Sequence, residues 1–443
     1  MKYKFIKVLL FALVVAAAAC NKELNTTPTV AIDESEALKT SNDVKAALVG
    51  TYSDFGDRFF YGGRLFFEAD LLGDNNEIDW EGTYQQLTQI HNKIIPNDNT
   101  FAASTWLAGY SAINDANNVL SAINTVDTAS RGRVEGEAKF LRSASFFELV
   151  KLYAKDWSDG DPAVNAGIPL VLTPTGEITA ANRVKRNSVA EVYQQIITDL
   201  EDAQTKVPSE NGFFANKAAV AAILARVYLQ QGNFPAALQA VNTAITESGA
   251  ALTPTYAEAF GATNTSEDIF AMQVTKSSGY QGFNEFYSAG QRGEALISPE
   301  HLSMYEPGDD RQNLLDTTTG STYSLKFEEL YGNVHTIRLA EMLLVRAECN
   351  FRLGSAVGDT PLNDINQIRT RAKLAPLANN QLTLDEILKE RRLELAFEGF
   401  RLADVKRLKE NVGLLPWNSP KLIFPIPVRE IRANPNLTQN EGY

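Results

Sequence analysis

Wherever this sequence has a strong hydrophobic period, the period is helical, which makes a mainly α fold the expected class. Trp106, Tyr110, Ile113, Asn117, Leu120 and Ile123 form one stripe, and Ala138, Leu141, Ser145, Leu149 and Leu152 form the next. Ala221, Leu224, Ala225 and Tyr228 repeat the pattern; after Gly232-Asn233-Phe234-Pro235 come Ala237, Ala240, Val241 and Ala244. Ala225, Gly232, Ala237 and Ala244 hold the small-residue positions of a tetratricopeptide-like unit, where two helices touch closely. Ala347 and Gly354 repeat the Ala-to-Gly spacing ahead of a helix from Leu362. One such pair cannot bury its own apolar face, so several are expected to pack as an irregular helical-pair solenoid.

Between the stripes lie segments 54–101, 155–188 and 248–336, rich in Gly, Asn, Asp and aromatic residues, and a Pro-rich tail starts at Leu414. Long loops in a compact domain usually carry function. A few short β-strands are expected within 266–276 and 421–428. No Pro/Ser-rich linker divides the chain after Cys20, so residues 20–443 read as one domain with elaborated loops.

The N-terminus has its own logic. Lys2, Lys4 and Lys7 precede an apolar run from Val8 to Ala19, and Cys20 follows. A basic start, a short apolar segment and small residues before a break make residues 1–19 a secretory signal. The run is shorter than the ~20 residues a membrane-spanning helix needs. Ala17, Ala18 and Ala19 resemble a bacterial lipoprotein cleavage box, so Cys20 is the expected lipid attachment point, with NKELNTTPT as a polar tether. Cys349 sits at a helical core spacing and reads as a small buried apolar residue. A formal net charge of −13 argues against nucleic acid, whose affinity rests on neutralising phosphates.

The stretch from Glu390 to Lys409, ERRLELAFEGFRLADVKRLK, places Leu393, Ala396, Phe397 and Phe400 on one helical stripe amid Glu390, Arg391, Arg392, Glu394, Glu398, Arg401 and Asp404. This string resembles the C-terminal signature of the SusD/RagB family of Bacteroidetes outer-membrane lipoproteins. GEAKFLRSASFFELVKLYA (136–154), LAEMLLVRAECNFRLG (339–354), LNDINQIRTRAKL (362–374) and FPIPVREIRANPNLTQNEGY (424–443) follow in the family's order. The resemblance implies a non-enzymatic protein, lipid-anchored to the outer membrane and facing the cell exterior. Such a protein captures oligosaccharide for a SusC-like TonB-dependent barrel. Peptide capture, as in one branch of the family, and a helical-repeat scaffold for other proteins are the alternatives.

Catalytic constellations are sparse. His91, His301 and His335 lie in separate regions without the spacing of a helical zinc site, and no GxSxG turn, phosphate-binding glycine loop or CxxC pair occurs. Glu394 and Glu398 sit one helical turn apart, but Arg391, Arg392 and Arg401 beside them would keep both ionised, so structural ion pairing is expected. The oxygen-rich Gly73–Asp79 segment fails the EF-hand template at Ile78 and Asp79 and reads as a surface loop, so neither metal nor cofactor is expected. Aromatic rings in polar loops fit a sugar better, because flat rings cover its C–H face while amides and guanidinium bond its hydroxyls. On that basis Trp80, Tyr84, Tyr280, Phe283 and Tyr287 are the candidate ligand platform, with Asn284 and Arg292 as polar partners. Packing under the loops is the competing role for each ring, whereas Trp106 and Tyr110 keep helical register and read as core.

Overall fold

Side-chain caps set where several of the longer helices begin. The structure, a computed structural model, describes residues 37–176, 179–277, 279–318 and 320–443. The signal segment 1–19, Cys20 and the tether lie outside the described residues. Helices α1 (Ser41–Phe55), α2 (Arg64–Gly73), α3 (Gln85–His91), α4 (Thr100–Ser121) and α5 (Thr128–Tyr153) come first. The Asn99 carboxamide opens α4 by accepting from the amides of Phe101 and Ala102, and Asp127 opens α5 by accepting from Ser130. Next come α6 (Val189–Lys206), α7 (Lys217–Gln230) and α8 (Phe234–Ser248). Ser188 and Glu191 form a reciprocal capping box at the start of α6, and Asn233 with Pro235 starts α8.

The expected helix pairs are present and their small residues are buried. α7 and α8 form the tetratricopeptide-like unit, with Ala225, Ala237 and Ala244 excluded from solvent. It packs onto a second unit, α11 (Leu339–Leu353) with α12 (Pro361–Arg371); between them in sequence lie the short α9 (Gly282–Tyr287) and α10 (Pro299–Leu302). Gly354 ends α11 in the left-handed conformation, at φ +61°. α13 (Leu384–Glu394), α14 (Arg401–Leu408) and α15 (Val428–Ala433) complete the order. Cys349 is buried in this core, where burial pushes its thiol up to about 12. Among the described residues no helix is long and apolar enough to cross a membrane.

Among the described residues three antiparallel strand pairs lie in the regions between helices: β1 (Ile78–Trp80) with β3 (Ala295–Ile297), β2 (Asp268–Met272) with β6 (Val334–Arg338), and β4 (Leu315–Asp316) with β5 (Tyr323–Ser324). β2 meets the expectation for 266–276, but 421–428 holds no strand. A 3-10 turn over Pro420–Leu422 leads there into extended chain, whose backbone bonds to other segments rather than to a ladder. Segment 54–101 is likewise more ordered than a loop, since α2 and α3 form within it.

Charge, rather than an unbroken amphipathic helix, organises the Glu390–Lys409 stretch. The helical stripe expected across it is interrupted: α13 stops at Glu394 and α14 starts at Arg401. Gly399 takes φ +86°, where a side chain is strained, and a Cβ there would stand 2.5 Å from Cβ of Phe66. The carboxylates also find other partners than the neighbouring arginines. Arg338 at the end of β6 reaches Glu267 (2.5 Å) and Glu394 (3.2 Å), while Arg371 from α12 pairs with Glu394 and with Glu267 (2.7 Å). Four buried charges thus close a ring. Glu398 extends it to Lys326, both contacts being 2.8 Å. Burial favours a protonated Glu394, but Arg371, Arg338, Arg311 and Lys326 outweigh it and hold the carboxyl far down, at about 2. Arg391 instead pairs with Asp404 (2.9 Å), and Arg392 with Glu77.

His335 adds a protonation-dependent tie between β2 and β6. Its Nδ1 lies 2.8 Å from the Asp268 carboxylate and its Nε2 lies 2.9 Å from the Gly261 carbonyl, so both nitrogens face acceptors and both must carry protons. Burial opposes the charge, yet Asp268 and Gly261 prevail over it and over Arg338, and the pKa is raised above the ordinary histidine value.

Two outcomes follow. Glu394→Ala leaves Arg338 and Arg371 short of a buried counter-charge and should lower unfolding free energy by ~3–5 kcal/mol in denaturant titration; an unchanged midpoint would remove the ring's structural role. For His335 the raised folded pKa means stabilisation is complete below the unfolded value of ~6.5 and is lost as pH rises through the folded value. The melting-temperature advantage of the native chain over His335→Gln should therefore be largest near about pH 6 and shrink towards about pH 9, and a pH-independent gap would contradict a charged imidazole.

Candidate aromatic binding surface

Pairing of β1 with β3 is what brings the two aromatic-rich segments together. Ile78 faces Ile297, Asp79 faces Leu296 and Trp80 faces Ala295. The turn after β1 is pinned to the end of the other segment: the Glu81 amide donates to the Glu294 carbonyl (2.9 Å), and the Thr83 amide and hydroxyl donate to the Glu294 carboxylate (3.2 and 3.0 Å). Burial and hydrogen bonding oppose each other at Glu294; Arg292 and Thr83 win, and its pKa is lowered.

Trp80, Tyr84 and Arg292 meet on the surface. Trp80 is half-buried, its indole N–H donating to Thr88 Oγ1 at 2.9 Å. Tyr84 is also half-buried, edge-on to Phe101 and Phe286 at 5.5 and 6.2 Å between ring centres. The Arg292 guanidinium lies 4.3 Å from the Tyr84 ring centre, a cation–π contact. Its Nε and Nη2 are taken by Glu294 and Thr83, and among the described residues Nη1 donates no hydrogen bond. Two N–H groups are therefore available beside a half-buried ring.

Tyr280 forms a second cluster along the same surface. Its hydroxyl accepts from Arg58 Nη1 at 2.7 Å, and Arg58 lies over both the Tyr280 and Phe59 rings, at 5.1 and 4.9 Å. Arg64, paired with Glu285, bridges the clusters by lying over Phe59, Phe101 and Phe286. Arg58, Phe59, Arg64, Thr83, Glu285 and Glu294 were not sequence candidates. The run RFFYGGR (58–64) did mix rings and guanidinium groups in the segment already set aside as functional.

Three expected ligand contacts are placed inside the protein instead. Phe283, Asn284 and Tyr287 are 3%, 1% and 0% exposed. Phe283 stacks on Phe327 with ring centres 4.3 Å apart, and Tyr287 stands edge-on to Phe67 at 5.2 Å. The Asn284 amide donates to the carbonyls of Phe327 (2.6 Å) and Glu328 (3.1 Å). No ligand reaches these groups in this conformation. They form the packed layer under the exposed rings, which is the competing role weighed for them.

Other candidate groups resolve into structural pairs. Asp74 accepts from the amides of Glu77 and Ile78 (2.9 Å each) and meets His91 at 3.2 Å, while Glu77 pairs with Arg392 and Arg401. The Gly73–Asp79 segment is thus partly buried and charge-balanced, not the open surface loop expected. Burial first, then Arg392, Lys326 and Arg401, push His301 down to about 3. Two cavities beside the ion network hold about 50 Å³ each, room for water rather than a sugar. A cavity of about 340 Å³ opens next to Trp106, Leu107 and Tyr110. Its Tyr110 hydroxyl and Asn114 carbonyl are already bonded to Pro169 and Thr175, and Trp106 is buried as expected.

Comparison with known proteins agrees with this architecture. The family described as starch-binding associating with outer membrane matches residues 35–229, and the SusD family matches residues 317–421. A SusD-like protein of Formosa agariphila is 27% identical over 99% of each chain. The starch-binding protein SusD of Bacteroides thetaiotaomicron is 35% identical over 25% of this chain and 22% of its own. The crystal structure of a SusD superfamily protein from Bacteroides vulgatus superposes with a TM-score of 0.83 at 24% identity, covering 91% of this chain and 99% of that one.

Burial separates the two kinds of aromatic residue experimentally. Tyr287→Ala should cost ~3–5 kcal/mol of stability, the scale for deleting a buried ring. Trp80→Ala should cost clearly less and instead weaken ligand binding by ~1–3 kcal/mol, by analogy with ring-on-base stacking. Equal destabilisation by both, with affinity intact in whatever stays folded, would make Trp80 a packing residue.

Proposed function

The chain belongs to the SusD/RagB family, and from that membership and its exposed aromatic ridge we propose that it captures oligosaccharide at the outer-membrane surface for a SusC-like TonB-dependent barrel. The observation that carries the reading is the surface formed by Trp80, Tyr84 and Arg292 with Tyr280 and Arg58 beside it. Half-exposed rings supply apolar faces, and the Arg292 Nη1 donors suit a sugar hydroxyl. Residues 1–19 serve as the signal and Cys20 as the lipid anchor in this reading. An anchored receptor holds captured ligand at high local concentration above a channel.

Capture without cleavage is supported by the state of the carboxylates in the surface. Glycoside hydrolysis calls for one carboxyl kept protonated as an acid and a second as base or nucleophile. Glu285 is paired with Arg64, and Glu294 is held down by Arg292 and Thr83. Glu294 is therefore not suited to an acid role. Glu68, which burial pushes up to about 8, lies inside the protein bonded to the Thr105 hydroxyl at 2.8 Å.

Peptide is the second reading, and Arg58 favours it. Among the described residues no carboxylate pairs with its guanidinium, so a terminal carboxylate could fill that place. Calorimetric titration with matched panels of oligosaccharides and peptides decides between them, with Cys20→Ser providing soluble protein if the anchor is as proposed. Saccharide binding that falls with Trp80→Ala supports glycan capture. Binding to peptides alone, reduced by Arg58→Ala, would overturn it, and a Cys20→Ser protein still held in washed membranes would overturn the anchor.

A further inference from the structure

Gly82 is the place in the turn after β1 where a side chain cannot be added without moving Trp80. A Cβ built there would overlap the indole at Cζ2, Cη2 and Cε2, while no backbone atom is among its nearest neighbours. Gly82 does not adopt a left-handed φ, so its backbone is open to any residue and the conflict is with the ring alone. The opposite side of the indole clamp is Thr88. Its hydroxyl accepts the Trp80 Nε1–H at 2.9 Å and itself lies 3.2 Å from the Tyr84 carbonyl. Thr88 stands on α3, and the turn is held through Glu294 on the far segment, so both sides of the clamp are anchored outside the turn.

We propose that Gly82 and Thr88 are positioning residues for ligand capture: they seat the Trp80 indole flat along its own turn, beside Tyr84, before ligand arrives. This rests on the reading of Trp80 and Tyr84 as the capture surface. A half-exposed tryptophan without such a clamp would sample several rotamers, and fixing one of them would cost affinity on each binding event. With the ring seated in the free protein, that cost is met during folding. The bare backbone at Gly82 allows the indole to lie close against the chain, and the Thr88 hydroxyl sets its rotation by taking its sole N–H donor.

The test uses the full chain and does not need the natural ligand for its first arm. Trp80→Phe assigns the Trp80 indole N–H in the NMR spectrum among the signals of the four tryptophans. In ligand-free protein, Gly82→Ala and Thr88→Val should shift that signal and speed its exchange with solvent, and Thr88→Ser should restore it. In the second arm, the oligosaccharide that binds the native chain most tightly, from a panel of α-glucans, β-glucans, xylans and mannans, is titrated into each variant. Gly82→Ala should weaken binding ~10-fold, within the range of one lost stacking contact. Adding Gly82→Ala to Trp80→Ala should then weaken it no further. Additive losses would mean that Gly82 meets ligand directly, and an unchanged indole signal in Gly82→Ala would mean that the ring is not held there; either overturns positioning. Full affinity in Gly82→Ala beside lost affinity in Trp80→Ala would do the same while leaving the capture surface standing. Full affinity in Trp80→Ala, or no panel member bound, would instead remove the capture surface itself.

Discussion

Glu267, Arg338, Glu394 and Arg371 form a closed ring of alternating charge, and each member comes from a different part of the chain. Taking such groups out of water is costly, and only the complete set of partners offsets the cost. The start of β2, the end of β6, α12 and α13 must therefore be placed together or not at all. Hydrophobic contacts alone would tolerate small slides between helices; guanidinium groups that each bridge two carboxylates are far less forgiving.

From that ring the order passes outward to the candidate surface. Glu398 brings in Lys326, whose ammonium also bonds to the carbonyls of Glu394 and Ala396. Beside Lys326, Phe327 stacks on Phe283, and the α9 rings pack against Phe67. Only above this layer do Trp80, Tyr84 and Arg292 reach solvent. The exposed rings stand on a rigid aromatic floor, and a stacking surface benefits from that because little freedom is left to lose on binding.

The sequence was most legible where a local rule decides the outcome. Small residues at Ala225, Gly232, Ala237 and Ala244 marked a tight helix pair, and α7 with α8 is that pair. The 390–409 string announced ion pairing, yet its partners were invisible, because Arg338 and Arg371 lie in other segments. Helical spacing also misled at Phe397 and Phe400, since the chain between α13 and α14 turns through left-handed Phe397 and Gly399. Among the site candidates, Trp80, Tyr84, Tyr280 and Arg292 stay at the surface while Phe283, Asn284 and Tyr287 do not. GYQGFNEFYSAG reads as a polar loop because nothing in it reveals that carbonyls of Phe327 and Glu328 will consume the Asn284 amide.

The join between the two halves of the surface has a consequence for how the protein comes into being. Arg58 and Tyr280 touch although they are 222 positions apart, and the β1–β3 ladder closes a loop of similar size. Contacts of such separation form late, after local helix pairs, because the entropy of closing the intervening chain has to be met first. The chain would then carry folded helical units before it had any place for a ligand. Competence to bind would be among the last properties it acquires.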